Sequence, residues 1–539
     1  MKKVGLIVLS FVLTAVIISA CSNTGKNGAE SNRGKETNES PSNASNDTSS
    51  ESPDVSPITF QTYIDFDWYP LDTWGKDDVS KEITKRTGVS LDVTKGTDLK
   101  QLQILLATDQ LPELIFTSNQ VEFYHNSNIV YPWDELIEKF APEFMKELDP
   151  VEIANNTAED GHFYTLKTHY TNNEAWDNPN NLPSVGGPGL FVREDIMQEI
   201  GNPPLESFED LLNVYRQVQQ KYPDLAVYLP HPSWQNAILE LMGLSTTPYV
   251  DANGQVHVGF TNPDFIDYFK FMNTLYREGL LKAESFTYKP EQFTQIVNSG
   301  KVFSASYNTH LGDEANKVYD ANGIKAHMVP VMKALTLNGD SRFKPVDASV
   351  GWASFFITKK VKDPARAIQL VKFLKSPEGV ALTQWGIEGK HYTLNEEGLL
   401  LRPEGFNDLP ITETGIGPWY FQASGLADGI ATTSAKISNP KYSQHVDLLK
   451  FRKKYYERNP ALSFVNPMAE TDEININAKL NELFGNTQTG IIMSKNEAEV
   501  EAKFNKLLAD AKQIGLDKLE AYMNEQYKKA QARYETLKQ

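Results

Sequence analysis

At Cys21, the only cysteine among 539 residues, the chain changes character. Ahead of it, Lys2 and Lys3 precede an apolar run from Val4 to Ala20, interrupted only by Gly5, Ser10, Thr14 and Ser19. Behind it, from Ser22 to Pro57, proline aside, the only apolar side chains are Ala29, Ala44 and Val55. A basic start, a short apolar stretch and a small-residue close are the plan of a removable secretory signal, here residues 1–20. A membrane-spanning helix needs ~20 apolar residues and a flanking anchor charge, which this run lacks. Residues 21–57 are too polar to bury the surface that would offset ordering them. They are expected to form a disordered tether with an r.m.s. reach of about 30–35 Å. A packed fold must therefore come from residues 58–539, with no disulfide between cysteines to support it. That length exceeds what one hydrophobic core usually holds, which predicts two lobes.

The "ISAC" stretch ending at Cys21 resembles the lipobox of bacterial lipoproteins, whose cysteine is lipidated and becomes the mature N-terminus. The resemblance implies a protein held at the outer face of the bacterial cytoplasmic membrane. Two or more acyl chains would hold it stably, where one binds only marginally. The other reading, a buried structural thiol, would have no cysteine to pair with and only polar residues following it.

Lys and Arg number 52 against 70 Asp and Glu, a net charge of −18, and there is no long basic tract. That balance argues against nucleic acid as a partner.

"ITFQTYI" (58–64) and "GVSLDV" (88–93) alternate as strands, with a helix over 79–87 between them that ends at Gly88. This is α/β grammar. A further helix, a Leu111-Pro112 break and a strand at 114–116 continue it. Ser207 with Asp210 opens a helix whose apolar stripe is Phe208, Leu211, Leu212, Tyr215, Val218 and Tyr222. Asn262-Pro263 and Asp363-Pro364 open two more, and stripes over 500–514 and 519–537 predict two C-terminal helices.

No HExxH, GxSxG, Walker or GxGxxG pattern is present, so no catalytic residue, metal or cofactor is expected. "DANGQVHV" has Val256 where a calcium loop needs glycine and Asn262 where it needs glutamate. It reads instead as a hairpin turn at Asn253-Gly254. The distinctive feature is tryptophan in polar turns: "DFDWYPLDTW", "NNEAWDNP", "HPSWQN", "SVGWASF", "TQWGIEGKHY" and "GIGPWYFQ". A flat ring beside Asp, Asn, Gln or Glu suits sugar recognition, the ring meeting the C–H face and the polar groups taking hydroxyls. Trp74 and Trp133 are assigned to packing.

"LLATDQLPELIF", "GLFVREDIMQEIGNPPLESFEDLLNVY" and above all "GIEGKHYTLNEEG" resemble the extracellular solute-binding proteins of bacterial ABC importers. The resemblance is to the carbohydrate-binding group, family 1, in its large Gram-positive lipoprotein branch. It implies a two-lobed periplasmic-binding-protein-like α/β fold of type II, with a ligand cleft between lobes joined by strands crossing near 168–190 and 340–352. Lobe 1 would comprise 58–168 and 345–385, and lobe 2 would comprise 169–344 and 386–539. Asp65, Asp67, Trp68 and Asn119 would line the cleft from lobe 1. Trp234, Tyr307, His310, Trp419 and Tyr420 would face them from lobe 2. Trp352 would lie beside a crossing, and Trp385 and Glu388 in the specific motif. The implied function is non-enzymatic capture of an oligosaccharide by a monomer, which then delivers it to the permease. Some relatives carry a calcium loop after the helix ending at Tyr222. The "KYPDLAVYLPH" here is too short for one, so no calcium is expected there. A peptide or other polar solute is the alternative ligand, and a surface glycan-degrading enzyme a more distant alternative.

Overall fold

The computed structural model describes residues 54–97, 100–179, 181–182, 187–232, 237–347, 350–422, 425–467 and 471–537. The signal, Cys21 and most of the tether lie outside them.

Eight strands build the two principal sheets: β1 (Ile58–Ile64), β2 (Val89–Lys95), β3 (Leu114–Thr117), β4 (Pro188–Arg193), β5 (Ala226–Pro230), β6 (Val302–Asn308), β7 (Met328–Pro330) and β8 (Ser354–Ile357). The first sheet has the order β8-β3-β1-β2, with β1, β2 and β3 parallel and β8 antiparallel. The second has the order β5-β6-β4-β7, with β5 and β6 parallel and β4 antiparallel to both its neighbours. β8 returns to the first sheet after the whole of the second, so the chain passes between lobes more than once.

Alternation along β1 explains its central place. Phe60 and Ile64 enter a core shared with Trp133, Ile137 and Ile368, while Tyr63 enters a second core on the opposite face with Ile115 and Phe356. The helix Asp78–Thr87 starts where the Asp77 carboxylate accepts the Ser80 N–H at 2.8 Å. It stops at Gly88 in the left-handed region, φ +69, where any Cβ would lie 2.2 Å from the Val55 carbonyl oxygen. In the second lobe Ser207 and Asp210 form a reciprocal capping box on Phe208–Lys221. The helix expected to open at Asn262-Pro263 runs from Phe265 to Arg277, because Asn262 first turns the chain by accepting the Asp264 N–H. The 249–257 segment is the expected hairpin. Helices Asp472–Ile492, Glu497–Ile514 and Leu516–Leu537 complete the second lobe's core through Leu480, Phe504, Leu507 and Leu519.

Residues 387–421 depart from the sequence reading, which gave them to lobe 2. Trp419 and Phe421 are fully buried in the first lobe's core, with Ile387 and Ile416 packed against it. The side chains of Lys390 and His391 both reach Asp78. The attachment is a set of contacts between residues some 300 positions apart, which local pattern does not report.

The crossings pair with one another. Thr168 donates its N–H to Ala353 O at 2.8 Å and accepts from Trp352 N at 3.1 Å. Val346–Asp347 pairs in parallel with Glu457–Arg458. The Arg458 guanidinium meets the Asp347 carboxylate at 3.2 Å, the Asn173 amide oxygen at 2.9 Å and the Thr171 carbonyl at 2.9 Å, so one side chain ties three crossing segments together. Gly351, at φ +98, lets these segments touch, since a Cβ there would lie 2.5 Å from Lys167 Cβ. Behind them the C-terminal helix reaches back to the first lobe, where Arg533 donates to Ala154 O and Tyr534 to Asn155.

Candidate ligand-binding site

In a sheet of parallel strands the carboxyl ends open into loops, and ligands collect there. The loop after β1 supplies Asp65, Phe66, Asp67 and Trp68, the turn after β2 supplies Gly96, and the turn after β3 supplies Ser118 and Asn119. With Trp352 from the crossing before β8, these line a cavity of about 310 Å³, at the lower end of the usual ligand-site range of about 300–1,000 Å³.

The polar floor is fixed in advance. Asp65 is buried, and its Oδ2 accepts both the Thr117 hydroxyl and the Asn119 amide at 2.8 Å, while Thr117 Oγ1 in turn accepts the Asn119 N–H at 2.9 Å. Asn119 is thereby oriented before any ligand arrives. Gly96 has no room for a side chain, since a Cβ would lie 2.6 Å from the Tyr63 hydroxyl.

The walls are aromatic. Phe66 stands 5.1 Å from Trp68 and 5.4 Å from Trp352, and the two indoles are 6.3 Å apart at 33°. Trp68 is 57% exposed, a large ring held at the surface with a face open to solvent. Trp352 is half-buried, and its Nε1–H donates to His169 Nδ1 at 2.9 Å. Tyr420 stands behind these rings, outside the cavity lining, 5.7 Å from Phe116, 5.2 Å from His169 and 6.1 Å from Trp352.

At the carboxyl ends of β5 and β6, Tyr307 lies on His231 with ring centroids 3.9 Å apart at 21°. Burial lowers the His231 pKa and raises that of Tyr307, so both rings are neutral around pH 7. His310 stands at the start of the next helix, Leu311–Asn322, and meets His445 at 4.3 Å, and His445 Nδ1 lies 2.7 Å from Asp313. Trp234 lies outside the described residues.

The structure thus brings together Asp65, Asp67, Trp68, Asn119 and Trp352, and adds Phe66, Gly96 and Ser118. Tyr307 and His310 occupy the corresponding end of the second sheet. Trp419 and Tyr420 were expected on the second lobe and belong to the first. Trp419 is completely buried, its indole N–H donating to Asp77 Oδ2 at 3.0 Å and its ring 4.8 Å from Trp74. It packs rather than presenting a face. Trp385 ends its helix edge-on to Tyr392 at 5.7 Å, and Glu388 is exposed beside Gly389 at φ +77. Neither lines the cavity, because this motif is held by Arg402, which donates to the Trp385 and His391 carbonyls. Trp133 is fully buried, as its assignment to packing requires. The strand-end rule would have found Gly96 and Ser118, whereas His169 at φ +65 has no signature in the sequence.

Two larger cavities lie away from the strand ends. One, of about 670 Å³, lies between residues 122–160 and the C-terminal helix, and the other, of about 1200 Å³, beside the 249–257 hairpin. Among the described residues no group of three or more His, Cys, Asp or Glu is placed to hold a metal ion.

Residues 82–381 match the bacterial extracellular solute-binding protein family. The chain belongs to that family. This solute-binding protein is 20% identical over 299 residues to Lipoprotein LipO of Bacillus subtilis, a match covering 52% of this chain and 56% of LipO, so it spans little more than half of that relative. Its fold is shared with the alginate-binding protein AlgQ2, solved without calcium ion, at TM-score 0.65, 18% identity, and 88% of this chain against 98% of that one. It is shared equally with the S. pneumoniae ABC-transporter substrate-binding protein FusA in complex with kestose, at TM-score 0.66 and 17% identity, covering 88% of this chain and all of FusA. The fold is accordingly the two-lobed one that the sequence resemblance implied.

Proposed function

We propose that this protein is the lipid-anchored substrate-binding component of an ABC importer, taking an oligosaccharide between its lobes and passing it to the membrane permease. The observation that carries the reading is the pairing of an open tryptophan face with oriented hydrogen-bonding groups. Trp68 and Trp352 flank Asn119, and Asn119 is held by Asp65 and Thr117. Apolar ring faces meet sugar C–H groups, and carboxylate and amide oxygens take hydroxyls. FusA, whose solved complex holds kestose, shares the fold. Capture between lobes favours a closed form in proportion to the ligand's differential contacts with it, and that difference is what a permease could sense.

The same wall selects by charge. Among its described lining residues are two carboxylates, Asp65 and Asp67, and no lysine or arginine. Arg193 and Lys390, the cations that could have answered a uronate, are committed to Asp195 and Asp78. A neutral oligosaccharide is the ligand class that fits. Of the two lining carboxylates Asp65 is engaged by Thr117 and Asn119, and on this reading the sugar is returned unchanged.

A thermal-shift comparison of neutral oligosaccharides (kestose, maltotetraose) with oligouronates and short peptides tests this, since a ligand bound only by the native state raises the midpoint. A neutral sugar raising it while oligouronates do not is expected. A shift produced only by oligouronates overturns the charge reading, one produced only by peptides overturns the sugar reading, and new reducing ends that follow the protein through repurification overturn the non-enzymatic one.

A further inference from the structure

We propose that His169 is the positioning residue for the cleft tryptophan Trp352, fixing the indole in its cleft-wall orientation and tying that orientation to the crossing between lobes. The inference rests on the reading of Trp352 as a ligand platform.

Three observations converge on this one residue. The first is chemical. An indole N–H can only donate, so at 2.9 Å His169 Nδ1 is the acceptor. Nδ1 also lies 2.8 Å from the Thr168 hydroxyl, so hydroxyl and indole share its one lone pair. The second is conformational. His169 has φ +65, a left-handed backbone costly for a residue with a Cβ and retained where the surroundings over-determine it. Without that backbone turn the ring would not be delivered to Trp352 from a residue adjacent to Thr168. The third is topological. Thr168 and Trp352–Ala353 are the residues at which two crossings pair, through Thr168 N to Ala353 O and Trp352 N to Thr168 O. The backbone bonds and the His169–Trp352 bond therefore close one small unit that contains both the paired crossings and the ring. The edge of the His169 ring also meets Tyr420 at 5.2 Å, so the aromatic back wall shares the support.

An indole without its Nε1 acceptor is restrained only by the rings packed around it and samples other χ1 and χ2 wells more readily, and the cost of ordering it then falls on binding. His169 removes that cost before the ligand arrives. It touches the ring and not the cavity, whose lining does not include it.

The test uses residues 54–539, without the signal and most of the tether, labelled with 5-fluorotryptophan. The ¹⁹F line of Trp352 is the one lost in W352F. In the wild type it should be a single narrow line. H169G keeps the left-handed backbone but removes the acceptor, and should broaden or split that line while leaving the lines of buried Trp133 and Trp419 in place. H169N tolerates the same backbone and offers an amide oxygen, so it should restore a single line. Against kestose, or maltotetraose if kestose is not bound, H169G should weaken affinity about 3- to 10-fold, the scale of one side chain newly immobilised on binding. The double variant H169G/W352F should bind no more weakly than W352F alone. A Trp352 line unchanged in H169G, or one not restored in H169N, overturns the positioning inference. If the line responds to H169G as expected but not to saturating sugar that raises the melting temperature, the platform reading fails and the positioning role stands.

Discussion

The Asp77 carboxylate accepts the Trp419 indole N–H at 3.0 Å, from a residue 342 positions away, while also capping the helix that begins at Asp78. Gly415 makes the approach possible, at φ +68 with its missing Cβ 1.9 Å from Asp77 Oδ1. Replacing Trp419 by Phe leaves a buried carboxylate short of a donor and should cost about 1–3 kcal/mol in urea unfolding. Sugar affinity of the folded protein should not change. A loss of affinity without loss of stability would return Trp419 to the binding site.

Trp68 should behave in the opposite way. It is 57% exposed, so Trp68→Ala should leave the unfolding midpoint nearly unchanged while weakening oligosaccharide binding by about 1 kcal/mol or more, judged on the scale of aromatic pairs. Trp133→Ala, which empties a fully buried site, should do the reverse. Fluorescence titration beside thermal melts separates the two patterns.

Gly351 and Gly161 both have positive φ, +98 and +89, but only the first is crowded. Gly161→Ala should carry the backbone strain alone. Gly351→Ala adds a clash with Lys167 and Thr168 and should be the costlier by about 1–3 kcal/mol. Equal unfolding midpoints for the two variants would show that the crossings yield easily.

Burial holds His125, His231 and His391 below the ordinary histidine value, for His391 against the opposing pull of Asp78. The unfolded chain protonates these rings near about pH 6.5, where the folded protein still keeps them neutral. Below that pH the unfolded state binds more protons, so their contribution to stability is complete above about pH 7 and is lost as the pH falls toward the folded values. The melting temperature should decline from pH 7.5 to 5, and His391→Gln should flatten that decline. A slope identical to the wild type would show that His391 is not held neutral.

Cys21→Ser should release the protein from membranes or leave an unprocessed precursor, because the thiol would be the lipid acceptor. Membrane retention with normal processing, followed by fractionation and mass of the mature N-terminus, would refute the lipobox reading.

Much of the scaffold could be read from the sequence because its determinants are local. Alternation places Phe60 and Ile64 on one face of β1, the Ser207–Asp210 box starts its helix, and Gly88 ends another. Asp65, Asp67, Trp68 and Asn119 were named by the family resemblance rather than by patterning, and the fold gathers these four around one cavity at the strand ends. What could not be read depends on approach between remote segments. Trp419 is a tryptophan in a glycine-proline turn like the others, and only the Asp77 carboxylate, supplied by the fold, makes it a core residue. Trp385 and Glu388 sit in the most distinctive motif, yet Arg402 and Asp78 use that motif to fasten a loop. Distinctive sequence marked attachment there as readily as it marked a ligand surface.

The guanidinium of Arg458, which reaches from its own segment to two other crossing segments, bears on affinity as well as on architecture. Two bodies joined by one flexible strand can slide, twist and separate, and a ligand that draws them together must overcome the entropy of all those motions. Joined by strands that share a single planar cation, they have fewer such motions open to them. On the proposed oligosaccharide reading, part of the disorder that closure would remove would then be absent beforehand, and fewer ring and hydroxyl contacts would be needed to hold a closed form.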